Sequence, residues 1–265
     1  MSEQTNMRAA SQEVQAQTPQ ETGHDKTLEQ RVLQVGSKTL QRTRPLDGFD
    51  VYVAGLHCGK QDTQMHMEAH HYCKLVNGEF LQCIIFDDNT PDANLIGIEY
   101  IISERLYATL PDEERQYWHP HNFEVFSGQL IAPGLPAVAE HELMRQLVNS
   151  YGKTWHTWHT GRHANQPGTA LPLGEPLLMW SFNREGEADP VVEQAFIERM
   201  QFDKQQNRER RQDLTQYAHP QYGVNLLRNA FPQATPTPPP GVRDVEEAPP
   251  SDASFAGNPS GSSTS

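Results

Sequence analysis

The eight residues from Leu95 to Ile102 read LIGIEYII. The run is too short for an independent helix and is apolar at both odd and even positions. A strand of this kind is expected at the centre of a sheet, covered on both faces. Glu99 is its one charged residue. A carboxylate in such a place is costly unless it meets an Arg or His, or else it carries a raised pKa.

Around this strand the chain alternates short extended stretches with irregularly spaced helical ones. Strands are expected at 51–56, 65–75, 79–86, 123–132, 153–159 and 176–182, and Asp87, Asp88, Asn89 and Thr90-Pro91 supply turn chemistry after the third. Helices are expected at 103–109, at 111–118 behind Pro111, at 136–150 and at 190–211. The lack of a regular βα repeat predicts an α+β fold, a single domain with a mostly antiparallel sheet flanked by helices. Residues 27–41 set Leu28, Val32, Val35 and, loosely, Leu40 at helical spacing. A helix capping the core is preferred there over one lying on a lipid surface, because the apolar stripe is thin and has no aromatic anchor. The domain is expected to span 27–215. Residues 1–26 and the Pro/Ser/Gly-rich acidic stretch 216–265 have too few large apolar groups to offset the entropy of ordering, and read as disordered tails.

A formal net charge of −13 over 265 residues argues against nucleic acid as a partner, since phosphate contacts need a basic face. The one basic run, Arg208, Arg210 and Arg211, is interleaved with Glu209 and reads as a solvated helix face. The same acidity opposes simple electrostatic attachment to anionic lipid but not apolar or protein-mediated docking. No apolar run approaches the roughly 20 residues that span a bilayer, and the first residues lack the apolar stretch of a signal peptide. Three cysteines, Cys58, Cys73 and Cys83, suggest free thiols in a reducing compartment. A cytoplasmic protein is the expectation.

Ten of the twelve histidines lie between 57 and 163. Imidazole is the commonest metal ligand and the side chain best placed to move protons near neutral pH. If 65–73 is extended, His66, Glu68 and His70 share one face, while His71 and Cys73 share the other. His119 and His121 in WHPH also face one way in an extended chain. His156 and His159, three apart, do not. None of this is a specific motif: there is no HExxH, CxxC pair, GxSxG elbow or phosphate-binding glycine loop. Three readings stay open: half-buried sheet histidines satisfied by local carbonyls and carboxylates, a divalent metal site, or metal-free catalysis. Glu99, Cys73 and His156 are the catalytic candidates, Cys73 as a lowered-pKa thiol beside two histidines. Trp118, Trp155, Trp158 and Trp180 read as core anchors.

EAHHYC at 68–73, LIGIEYIISERL at 95–106, LPDEERQYWHPH at 110–121, AEHELM at 139–144, YGKTWHTWH at 151–159 and LPLGEP at 171–176 together resemble the oil body-associated protein family over about 30–215. The resemblance implies a protein peripheral to lipid droplets or storage lipid, or to a protein partner there, with no transmembrane segment and no assigned reaction. The family's recurrent polar positions fall on His70, His71, Cys73, Glu99, His119, His121, Glu140, His141, Lys153, His156 and His159. His66 has no counterpart among them, which weakens a His66–Glu68–His70 set. The metal candidates are accordingly His70, His71, His119, His121 and His156, holding a divalent ion if they converge.

Overall fold

The computed structural model describes residues 26–40 and 44–245. The remainder, including the expected N-terminal tail through residue 25, lies outside the described residues. The strands are β1 (Val51–Gly59), β2 (His66–Asn77), β3 (Phe80–Phe86), β4 (Leu95–Ile102), β5 (His119–Pro120), β6 (Tyr151–His156) and β7 (Leu177–Trp180). The helices are α1 (Leu28–Leu40), α2 (Glu104–Tyr107), α3 (Asp112–Arg115), α4 (Asn122–Phe126), α5 (Ala137–Leu147), α6 (Pro190–Met200) and α7 (Lys204–Arg210). The expected α+β fold with an antiparallel sheet is what forms.

The sheet does more than lie flat. It runs β4-β3-β2-β1-β7-β6-β5, and β4 also pairs with β6. That pairing closes six antiparallel strands into a barrel, with β5 added on the edge of β6. Six strands enclose too little width for an open lumen, so the interior must be filled by side chains. Directly paired residues share a face. One inward row therefore runs Cys73, Cys83, Glu99, Thr154, and the next runs Val53, His71, Ile85, Gly97, His156.

The outside of the barrel is covered unevenly. Over β1 and β2 lies the main apolar core, with Leu56, Phe123, Phe182, Val192, Phe196 and Leu214 all buried. Over β6 lie Glu114, Tyr117 and Trp118, against Lys153 and Trp155, whereas the middle of β4 is left exposed. The expectation that β4 is covered on both faces is thus half right: Glu99 and Ile101 are buried, but Leu95 is 53% and Ile98 39% exposed. Both-sided apolarity came from a barrel wall, not from a central strand.

Other expectations need correction. The strand expected at 123–132 is helix α4 followed by a tight turn at Gly128, whose positive φ lets the chain pass against the Lys204 carbonyl. A remnant of extended pairing survives as the Ala54–Ile131 bridge. The helix expected over 190–211 is two helices. Gln201 terminates α6 in the left-handed region, and Asp203 caps α7 by accepting from the Gln206 amide. α1 does form, but it does not cap the core, since Leu28, Val32, Leu33 and Val35 are all exposed. Residues 216–245, assigned by composition to the tail, instead pack Val224, Phe231 and Val242 into the core.

The cysteine expectation is also overturned. Cys73 and Cys83 face each other across β2 and β3 and form a disulfide, so Cys73 offers no free thiol for catalysis. The free one, Cys58, is buried, and burial pushes its thiol pKa up. The bond closes a loop with a sequence separation of 10. Replacing both residues with serine should cost about 2–3 kcal/mol and lower Tm by roughly 5–10 °C. Calorimetry of the oxidised and fully reduced protein measures the same quantity; equal Tm values would show that the bond does not stabilise the barrel.

Candidate functional site

Strand alternation turns the side chains of β1, β2, β4 and β6 alternately into and out of the barrel. His57 enters from β1, His71 from β2, Glu99 from β4 and His156 from β6; His119 comes from β5, and His121 sits just ahead of α4. All six are buried. Glu99 is the hub. Its Oε2 lies 3.2 Å from His71 Nε2, and its Oε1 lies 3.4 Å from both His119 Nε2 and His121 Nε2. Thr154 donates its hydroxyl to the same Oε1 at 2.8 Å.

Among the described residues, two groups of three are spaced to hold a metal ion, His57–His71–Glu99 and Glu99–His119–His121. The second is possible only because β6 carries Gly152 opposite it. A Cβ there would overlap Glu99 Oε1 and come within 2.5 Å of His121 Nε2 and 2.8 Å of His119 Cε1.

Hydrogen bonding fixes one tautomer. Ser150 donates its hydroxyl to the Leu147 carbonyl at 2.7 Å. The 2.8 Å contact from His121 Nδ1 to Ser150 Oγ must therefore carry the imidazole proton. The Nε2 of a neutral His121 is then a lone pair aimed at the Glu99 carboxylate. Elsewhere in the group His57 Nδ1, His119 Nδ1 and His156 Nε2 are buried without a hydrogen bond, while His71 Nε2 and His119 Nε2 have only the Glu99 carboxylate to face. Such groups are rare in folded proteins and call for an explanation.

Electrostatics follow the same geometry. Burial lowers the pKa of His57 and His71, takes His119 down to about 4 and His156 to about 3. Burial opposes charge on Glu99 too, but His71, His119 and His121 prevail and hold it well below the usual carboxylate range. His121 is held above its ordinary value by Glu99 and Glu124, despite burial. Glu124, 3.9 Å from His121, is pushed by burial up to about 8. A cavity of about 20 Å³ lies among His57, His71, Glu99, His121 and Glu124, walled by Val53, Ile101, Leu130 and Leu147. It has room for about one water molecule.

The structure brings His71, His119, His121 and Glu99 together. His156 borders them, its ring centroid 5.6 Å from that of His57, with Nδ1 against Met67 Sδ. His70 stands apart. Like His66 and Glu68 it points out of the barrel, and its Nδ1 meets the Tyr52 hydroxyl at 2.7 Å. His159 is tied to the Gln166 carbonyl, His141 to Asp213, Lys153 to Glu114, and Glu140 to Arg211. His57 was not singled out by sequence, because the expected first strand ended at residue 56. Extending the alternation Val53, Gly55 by one step would have found it. Thr154, Ser150 and Gly152 carried no signal beyond their strand and turn positions.

Comparison with known proteins adds a lineage. A family model described as a protein of unknown function, DUF1264, matches residues 43–215. Oil body-associated protein 1A of Zea mays is 36% identical over 199 residues, covering 75% of this chain and 80% of that protein. Oil body-associated protein 2C of Arabidopsis thaliana is 39% identical over 159 residues, 60% of this chain and 65% of that protein. Oil body-associated protein 1B of Arabidopsis thaliana is 35% identical over 156 residues, 59% of this chain and 63% of that protein. The chain thus spans a little under two thirds of the two Arabidopsis proteins. No solved structure matches. With the conserved-domain match and the maize relative both covering most of the barrel, the chain belongs to the DUF1264 family, that of the oil body-associated proteins.

Proposed function

We propose that the barrel interior binds a divalent first-row transition ion on Glu99, His119 and His121. The observation that carries this reading is the contact between His121 Nε2 and Glu99 Oε1. With Nδ1–H committed to Ser150, two acceptors face each other at 3.4 Å in the buried barrel interior. Only a cation between them, a proton or a metal, removes that repulsion. A metal also uses His119, whose Nε2 faces the same Glu99 oxygen at 3.4 Å and which one proton on His121 leaves without a role. Two imidazoles and a carboxylate suit Fe(II), Zn(II) or related ions and leave coordination positions open toward the cavity. Ser150 and Thr154 supply the outer hydrogen bonds that orient His121 and Glu99.

Metal analysis of full-length protein purified without a histidine tag should find at least one equivalent, and chelation should lower its melting temperature. His70→Ala should leave the metal content unchanged, because that ring faces outward. Substoichiometric metal together with unaltered melting in chelator would remove the reading.

A second reading concerns location: peripheral association of a cytoplasmic protein with lipid-droplet surfaces. The names of the relatives favour it, and so does one feature of the barrel. Tyr72, Ile84, Ile98 and Trp155 form a row across β2, β3, β4 and β6 on the outer wall, with Ile98 exposed and the other three half-buried. Leu95 and Tyr100 extend the exposed apolar surface alongside. No helix among the described residues is long and apolar enough to cross a membrane. Ile98→Lys should reduce the fraction of tagged protein floating with droplets several-fold while leaving Tm nearly unchanged. A wholly soluble distribution of the wild type in lipid-loaded cells would count against this reading.

A further inference from the structure

Glu99 sits between two groups of ligands, not within one. Its Oε2 turns toward His71 and its Oε1 toward His119 and His121. In each trio the ligand atoms lie within 4.8 Å of one another, and the trios share only Glu99. Ligands trans across an ion at about 2.1 Å each span about 4.2 Å. Each trio therefore needs little contraction to close on an ion of its own. A single ion would have to draw imidazoles from both trios at once.

Resting on the metal reading above, we propose that the barrel holds a carboxylate-bridged pair of divalent first-row ions. One is bound by His57, His71 and Glu99 Oε2, the other by His119, His121 and Glu99 Oε1. The first trio has no other evident work. His57 Nδ1 is buried without a hydrogen-bond partner, His71 Nε2 faces only Glu99 Oε2, and the two rings lie 5.1 Å apart, edge to face. One ion at His119 and His121 would leave that half of the cage unexplained. Each trio is two histidines and one carboxylate, a donor set that leaves positions free on its ion. Paired ions of this kind sit about 3.5–4 Å apart and share a bridging ligand. The cavity of about 20 Å³ is lined by His57 and His71 from one trio, His121 from the other, and Glu99 from both. It is the size for water or hydroxide as that bridge, and too small for an organic molecule. His156 borders the first trio through His57 without belonging to either group.

The test is a titration of metal-free, untagged, full-length protein with Mn(II), read by equilibrium metal content and by electron paramagnetic resonance. Two equivalents per chain and an exchange-coupled spectrum at saturation are expected. His57→Ala should retain one equivalent and lose the coupling, and circular dichroism of the metal-free variant checks that the barrel still forms. Saturation at one equivalent in the wild type would overturn the pair while sparing the single-ion reading. Two equivalents with an uncoupled spectrum would overturn the bridge. No binding would overturn both.

Discussion

Gly152→Ala is expected to empty the Glu99–His119–His121 site, with metal retained there falling below about one tenth of the wild-type occupancy. The added methyl occupies the space that Glu99 Oε1, His121 Nε2 and the His119 ring now share. Neither side can yield easily. Gly152 is paired with Ile101 of β4 on one flank and His119 of β5 on the other, so the β6 backbone cannot retreat. The ligands must spread instead, and a set displaced by about an ångström no longer fits one ion. Overpacking of this kind costs about 1–3 kcal/mol. Loss of a ligand present at a thousandfold excess over its Kd removes about 4 kcal/mol more. At about 2–4 °C per kcal/mol for a domain of this size, Tm should fall by roughly 10–30 °C under metal-replete conditions. The comparison that checks the cause is made in chelator, where only the overpacking part should persist. An equal Tm loss with and without metal would place the whole effect in packing and none in the site.

The metal-free protein is expected to unfold cooperatively in mild acid, with a midpoint near pH 5. An unfolded histidine binds its proton near pH 6.5, and a folded one with a lowered pKa does not. His57, His71, His119 and His156 are all shifted down by burial. Below pH 6.5 the unfolded chain therefore takes up protons that the barrel refuses, and stability falls with falling pH. Glu124 works the other way. Its folded pKa is raised to about 8, so the folded state already holds that proton, and its contribution grows as pH falls from 8 toward 4.5. His121, raised in the folded state, is charged in both states below pH 6.5 and adds no slope there. Glu99, held well below the usual range, keeps its contribution throughout and loses it only at still lower pH. Those four histidines and Glu124 alone give a balance of up to about three protons, or roughly 4 kcal/mol per pH unit. His66, His70, His159 and His163, lowered by burial too, steepen it, and Glu187, raised by burial, opposes it. That slope is enough to exhaust an ordinary stability of about 5–15 kcal/mol within a few units. Circular dichroism against pH gives the midpoint, and its steepness gives the proton count. A native spectrum persisting to pH 4 would show that the interior histidines accept protons after all.

Part of the site was legible before any fold was known. The two-residue alternation in 65–73 correctly set His66, Glu68 and His70 on one face of β2 and His71 with Cys73 on the other. Which face points inward was not legible, because both are buried: one by the barrel interior, the other by the layer that carries α6. His70 and His71 therefore looked equally good. The charge in LIGIEYII required either a basic partner for Glu99 or a raised pKa, and the first holds, with three partners from β2, β5 and the start of α4. No local pattern named them. Cys73 looked like a lone thiol because its partner's distance across the β2–β3 hairpin is a matter of register, not composition.

Spacing along the chain thus determined every strand but β5, most of the helices, the family and the need for Glu99 to find a partner or a raised pKa. These follow from covalent geometry and side-chain chemistry over a few neighbouring residues. Tertiary structure alone decided that the sheet closes, through β4 on β6 and β1 on β7, and that closure gathers His57, His71, His119 and His121 around one carboxylate. Such pairings join segments tens of residues apart, and their free energy comes from burying every wall together, so no stretch of sequence holds it alone.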